Sequence, residues 1–195
     1  MMPTPVVLQG RTVRLEPMDL ARHRAGLHAI GLEPALWRFT SVQISAAADL
    51  DAYLDLAAHD AAALRAIPFV IMHRSSEMVA GCTRFGNIEP AHKRLEIGWT
   101  WVGKPYQRSA VNTETKYLLF RHVFETLGWN RVELKTSALN EPSKAAMRRL
   151  GLVEEGTLRR HMINQDGTLR DSVYFSVIRE EWPAMKARLE ERLAR

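Results

Sequence analysis

Leu95-Glu96-Ile97-Gly98-Trp99-Thr100-Trp101-Val102, followed by Gly103-Lys104-Pro105 and then Gln107-Arg108-Ser109-Ala110-Val111-Asn112-Thr113-Glu114, is the stretch on which the reading of this chain turns. Its first run predicts a strand over 95–102. Leu95, Ile97, Trp99 and Trp101 fall on one face, and Glu96, Gly98, Thr100 and Val102 on the other. Gly103-Lys104-Pro105 breaks the strand. Tyr117, Phe120, Phe124 and Leu127 then recur at helical spacing, which predicts a helix over 111–127 with one buried face, stopped by Gly128. A strand, a short loop and a long helix leave the N–H groups of the helix's first turn without partners, which makes a ready anion site. Arg108 adds a fixed positive charge there, and Ser109, Asn112 and Thr113 can donate hydrogen bonds.

Outward from this stretch the pattern alternates in kind. Residues 6–15 read as an extended, hairpin-like start around Gln9-Gly10. Asp19 is an N-cap for a short helix ending near Gly31. A loop carrying Trp37 and Phe39 follows, and Ser45 opens a long Ala/Leu helix to about Ala66. Strands are expected over 68–73 and 78–87, with a polar turn between them. After the central helix come a strand over 131–138, a helix opened by Asn140-Glu141-Pro142-Ser143, and a hairpin of 152–164 with 168–178 about Asp166-Gly167. A last helix begins near Glu181. Local strand pairs with inserted helices make a mixed sheet covered by helices, an α/β or α+β layer fold.

Composition agrees with one compact domain over 1–195. The 195 residues are 46% hydrophobic and 25% charged, outside the disordered range. No run approaches the ~20 apolar residues of a membrane helix, and Met1-Met2-Pro3-Thr4-Pro5 lacks the pattern of a signal peptide, so a soluble cytoplasmic protein is expected. Cys82 is the only cysteine and sits in an apolar stretch, so it reads as a small buried hydrophobe. His23 and His28 do not share a helix face. His92, His122 and His161 have no ligand spacing with each other or with Cys82, and no metal is expected. The net charge of +5 is carried mainly by arginines, densest at Arg148-Arg149 and Arg159-Arg160. They form either a solvated basic face or a site for an anion such as a phosphate-bearing cofactor. Basic residues interleaved with aromatics are lacking, which argues against nucleic acid.

Taken in order, several motifs resemble the GCN5-related N-acetyltransferase (GNAT) superfamily, in particular its RimJ/RimL-like branch, which acetylates ribosomal-protein N-termini. They are Leu8-Gln9-Gly10-Arg11-Thr12-Val13-Arg14-Leu15-Glu16-Pro17, Glu96-Ile97-Gly98-Trp99, the loop Gln107 to Thr113, Asn140-Glu141-Pro142-Ser143, Leu150-Gly151-Leu152, Glu155-Gly156-Thr157-Leu158-Arg159, Gly167-Thr168-Leu169-Arg170-Asp171 and Phe175-Ser176. The likeness runs from about Val7 to Pro183. It implies a mostly antiparallel mixed sheet of about seven strands flanked by helices. That sheet would be splayed between its fourth and fifth strands, here 95–102 and 131–138.

The resemblance also implies acetyl-CoA as co-substrate, held in the splay. Thr100, Trp101 and Val102 would pair with the pantetheine arm through their backbone. Gln107, Arg108, Ser109, Ala110, Val111, Asn112 and Thr113 would hold the pyrophosphate, and Asn140 would face the pantetheine. The family loop usually reads Gln-x-x-Gly-x-Gly/Ala. Here Ala110 replaces the key glycine and Asn112 takes the last small position.

Transfer to an amine requires a base, donors for the thioester oxygen and a proton for the leaving thiolate. Direct attack without an acyl-enzyme is implied. Glu96 is the candidate base, acting directly or through water. Ser143, which would lie near the thioester sulfur as a cofactor-binding residue, is the candidate proton donor or thiolate stabiliser, while a backbone N–H of 100–102 serves the oxygen. Trp37, Phe39 and Tyr174 are candidates for the acceptor wall. The acceptor itself, a protein N-terminus or a small amine, is left open. Two other readings stand beside the enzyme: a non-catalytic acyl-CoA-binding domain of the same fold, motivated by the irregular loop, and an RNA- or ribosome-associated module, motivated by a pI of about 9.7. A homodimer through exposed strands is implied by similarity.

Overall fold

The computed structural model describes residues 2–194. Eight strands among them form one sheet in the order β1-β2-β3-β4-β5-β6-β8-β7. These are β1 (Leu8–Gln9), β2 (Val13–Pro17), β3 (Ile67–His73), β4 (Met78–Glu89), β5 (Arg94–Val102), β6 (Arg131–Ser137), β7 (Val153–Ile163) and β8 (Leu169–Ile178). Only β5 and β6 pair in parallel; every other neighbour is antiparallel. Five α-helices connect them: α1 (Leu20–Gly31), α2 (Ala47–Ala62), α3 (Ala110–Arg121), α4 (Glu141–Leu150) and α5 (Trp182–Ala194). The expected mixed, mostly antiparallel layer fold is the one the chain adopts. It has eight strands because the extended start divides at Gly10 into β1 and β2.

Each face of the sheet buries its own core. On one side Phe69, Phe85, Leu95, Ile97 and Val132 meet Leu119 and Phe120 of α3 and Met185 of α5. On the other, Val70, Cys82 and Trp101 meet Leu27 of α1, Leu50 and Leu54 of α2, and Trp37 of the loop between those helices. Helix α1 starts where expected, because the Asp19 side chain accepts from Ala21 N. Helix α2 does not use Ser45 as its cap. Asp49 reaches back to accept from Ser45 N and Ala46 N at 2.8 and 2.9 Å, so the helix opens at Ala47. It ends at Ala62, four residues short of the expected limit, and Leu64 takes a left-handed φ of 58°.

Two local departures from sequence periodicity shape the centre. The first lies in β5. Arg84 of β4 is paired with Gly98, but Cys82 is paired with Trp101, so two steps on β4 match three on β5. The extra residue is a bulge, and Trp99 takes a φ of 51° there. Alternation is thereby reset. Leu95 and Ile97 enter one core, Trp101 the other, and Trp99 is left 40% exposed, so the four do not share a face. The second is in α3, which is buried on more than one side and gives way at His122–Thr126 to a π-helical turn before Gly128.

One buried carboxylate ties the sheet edge to the central helix. Glu114 of α3 accepts from the N–H groups of Arg11, Thr12 and Val13 at 2.8, 2.6 and 2.7 Å. It therefore closes the β1–β2 turn from outside. A Cβ on Gly10 would lie 2.5 Å from its carboxyl carbon, so the turn can approach the carboxylate only as glycine. We predict that Glu114→Ala lowers unfolding free energy by about 3 kcal/mol, since it strands three amide donors. Urea denaturation is the check; a loss below ~1 kcal/mol would show that water replaces the carboxylate without penalty.

Candidate functional site

Strands β5 and β6 pair at only three positions: Arg94 with Arg131, Leu95 with Val132 and Glu96 with Glu133. Beyond these they part, and a cavity of about 310 Å³ opens between them. Residues 96–101 of β5 form one wall and Leu134 to Thr136 of β6 the other. Asn112 and Lys116 of α3, Ser143 and Met147 of α4, and the loop 37–42 complete it. The edge of β5 that faces β6 is left without a ladder partner past Glu96, so its amides can pair with an extended ligand arm.

The loop 103–109 stands at one end of this gap. Ser109 is the N-cap of α3: its Oγ accepts from Val111 N at 3.2 Å and donates to Tyr106 O at 2.6 Å. Gln107 Nε2 donates to Val102 O at 2.9 Å and so fastens the loop to the strand end. The left-handed residue of the loop is Arg108, with φ 57°. Ala110 is already helical, so this position needs no positive φ. The first turn of α3 holds no acidic residue, which leaves its positive end open to an anion. Gln107, Arg108, Ser109 and Ala110 are exposed, Thr113 is half-buried, and the Val111 side chain is turned into the core.

Glu96 is 3% exposed and lies at the fork of the two strands. Its Oε2 accepts from Asn87 Nδ2 at 2.6 Å and from Lys135 Nζ at 2.9 Å. Lys135 Nζ also stands 6.0 Å from the Trp99 ring centroid, so the bulged tryptophan converges on Glu96 rather than facing away from it. A Cβ on Gly98 would meet Glu96 Oε1 at 2.7 Å; the glycine makes room for the carboxylate. Asn140 caps α4, accepting from Ser143 N at 3.1 Å, and both residues line the cavity. So the structure brings Glu96, Thr100, Trp101, Asn112, Asn140 and Ser143 to one space, with Trp37 and Phe39 in its wall. Trp37 is 2% exposed, is fixed by donation to Gly31 O at 2.7 Å, and packs on Tyr53 and Trp101. Val102 and Tyr174 stand outside it. Tyr174 instead packs on His161, with Lys135 Nζ 5.9 Å from its ring.

Three cations of the cavity were not singled out from the sequence: Lys116, Lys135 and Arg170. Lys116 is 5% exposed, and its Nζ donates to Thr100 Oγ1 at 2.8 Å. Burial pushes this amine down from 10.5 to about 7, with Glu96 pulling the other way. A signal for it existed. Lys116 lies four residues after Asn112 and one turn before Leu119 and Phe120, on a helix that is buried nearly all round. Cys82, by contrast, has its thiol pushed up to about 12 by burial, which suits an inert core residue. Among the described residues no group of three or more His, Cys, Asp or Glu is arranged to hold a metal, and no helix is long and apolar enough to cross a membrane.

A parted parallel strand pair with an open helix N-terminus at its mouth is the arrangement on which comparison with known proteins bears. The family model for the acetyltransferase (GNAT) domain matches residues 12–153. The chain belongs to this family. A GCN5-related N-acetyltransferase from Brucella melitensis superposes with a TM-score of 0.91 at 30% identity, covering 98% of this chain and 86% of that one. A structure from T. thermophilus, provisionally named an acetyltransferase, gives 0.88 at 39% identity over 99% of this chain and 100% of its own. The Bacillus subtilis protein that carries the provisional name ribosomal N-acetyltransferase YdaF is 31% identical over 108 residues, 55% of this chain and 58% of its own length. The chain thus spans under two thirds of that relative.

Lys116 gives this GNAT chain a testable pH dependence. Its folded value lies below its ordinary one, so between about 7 and 10.5 the unfolded chain binds the extra proton and native stability rises with pH; below about 7 the full penalty applies. Lys116→Met is expected to be more stable than the parent at pH 6, by a margin that shrinks towards pH 10 at up to about 1.4 kcal/mol per pH unit. Urea titrations of both proteins at pH 6, 8 and 9.5 measure it. A constant margin across that range contradicts a depressed lysine.

Proposed function

We propose that this protein transfers the acetyl group of acetyl-CoA to a primary amine by direct attack. The observation that carries the reading is the cavity between β5 and β6, with a buried carboxylate at its fork and an acid-free helix N-terminus at its mouth. The residues present suit the co-substrate. The free β5 edge at Thr100 and Trp101 offers strand-like hydrogen bonds to the pantetheine arm. The first turn of α3, with Arg108, Ser109, Asn112 and Thr113, offers N–H groups and positive charge to the pyrophosphate. Glu114, the only carboxylate on the helix, is turned towards the β1–β2 turn, where three backbone donors hold it. When bound, acetyl-CoA supplies an activated acyl group; the chain supplies the rest.

Glu96, held by Lys135 and Asn87, orients the incoming amine and takes its proton directly or through water. A backbone N–H of residues 100–102 stabilises the charge that develops on the thioester oxygen. Ser143 stands on the α4 side and donates a hydrogen bond that stabilises the departing thiolate, which takes its proton from solvent. Names of related proteins support amine acetylation, and YdaF's name supports a ribosomal-protein acceptor as one option. The proposal includes a cytoplasmic homodimer. Strand β7, an 11-residue sheet edge exposed along nearly its whole length, is the support for a second copy.

Thiol release from acetyl-CoA over a broad amine panel tests the reading. Glu96→Gln is expected to lower kcat by roughly 100-fold and Ser143→Ala by roughly 10-fold, with the calorimetric affinity for acetyl-CoA unchanged in both. Tight binding without thiol release for any amine would leave a non-catalytic acyl-CoA module instead.

A further inference from the structure

Arg170, the second residue of β8, lines the cavity. It is 9% exposed, and its Nε is fully enclosed with no hydrogen-bond acceptor. Among the described residues no carboxylate lies within ion-pair distance of it. Burial pulls the guanidinium down from its ordinary value, and among the described residues Glu96, at longer range, is the charge that opposes this. A buried cation without a counter-ion is costly, and this one faces a cavity. The remaining charges do not relieve it. Two cationic side chains, Lys135 and Arg170, and the partly protonated Lys116 share the space with a single carboxylate, and Lys135 already engages that carboxylate.

We infer that the acceptor is a free amino acid, its amine placed at Glu96 and its carboxylate bound by Arg170. This rests on the acetyl-transfer reading above and names its substrate class. A polyamine would meet an excess of positive charge in this cavity. A zwitterion matches it, with the ammonium at the carboxylate and the carboxylate at the unpaired guanidinium, where bidentate pairing is available. The enclosure points the same way. The loop carrying Phe39 and Ser41 into the wall is tied to the β7–β8 turn, because Gln165 N donates to Ser41 O at 3.0 Å and Gln165 Oε1 accepts from Gln43 N at 2.7 Å. Arg170 is therefore a specificity-determining residue.

The test compares the twenty amino acids with their amides, with putrescine and with a hexapeptide, in thiol release and in thermal shift. At least one free amino acid is expected to exceed its amide by roughly 100-fold in kcat/KM, because the amide leaves the guanidinium unpaired. Arg170→Met is expected to bring that ratio near one through the acceptor KM, without changing the KM for acetyl-CoA, and Arg170→Lys to restore part of it. Thermal shift reads binding without turnover: the preferred amino acid stabilises the parent protein and not Arg170→Met. Equal use of acids and amides, preference for putrescine or the hexapeptide, or a change confined to the acetyl-CoA KM overturns the inference while acetyl transfer stands. If no amine releases thiol, the transfer reading falls; Arg170-dependent amino-acid binding would still uphold the carboxylate site, and its absence would overturn that too.

Discussion

Past the pairing of Glu96 with Glu133, two neighbouring parallel strands stop sharing hydrogen bonds, and nearly everything else in the molecule is arranged around that parting. Backbone groups inside a protein are seldom left unpaired. A β5 edge without its ladder therefore needs water or a ligand along it. The bulge at Trp99 accompanies the divergence, since an extra residue on one strand bends it and sharpens its twist. On its other edge β6 stays fully paired with β8, from Arg131–Ile178 to Ser137–Ser172, so it continues straight while β5 turns away.

The opening is held apart by packing on both sides. Helix α3 lies beneath it, buried through Val111, Leu118, Leu119 and Phe120, and locked to the β1–β2 turn by Glu114. On the opposite face Trp37, Tyr53 and Trp101 form a rigid aromatic wall, with ring centroids 5.2 and 5.6 Å from Trp37. Neither side can collapse into the gap without breaking a core. The same arrangement places the α3 N-terminus, with its partial positive charge, at one end of the cavity and the Glu96 carboxylate at its fork.

Electrostatics then divide the cavity. Hydroxyls of Thr83 and Thr100 stand 2.7 Å apart, and the Thr100 hydroxyl also accepts from the Lys116 amine. Glu96 sits among Lys135, Asn87 and, farther off, Arg170. Lys116 is brought close to neutrality by desolvation alone, an effect that no sequence pattern displays.

Element order, the helix cap at Asp19, the helix start at Asn140-Glu141-Pro142-Ser143, the turn at Asp166-Gly167 and the loop before α3 were all legible in the chain, because each depends on contacts a few residues apart. So were Glu96, Asn140 and Ser143 as cavity residues, since the order of motifs resembled a known family. What local pattern could not supply was the bulge at Trp99, which reverses the facing of Trp99 and Trp101, or the buried roles of Glu114, Lys116 and Arg170. Those depend on partners between 16 and 103 residues away, or on the lack of one, and charged residues read as surface until the fold buries them. Sequence by itself determined which elements form and the family to which they belong. Tertiary structure decided which strand edge stays open and which charges face it, because hydrogen-bond pairing and desolvation are properties of the assembled sheet and not of any one segment.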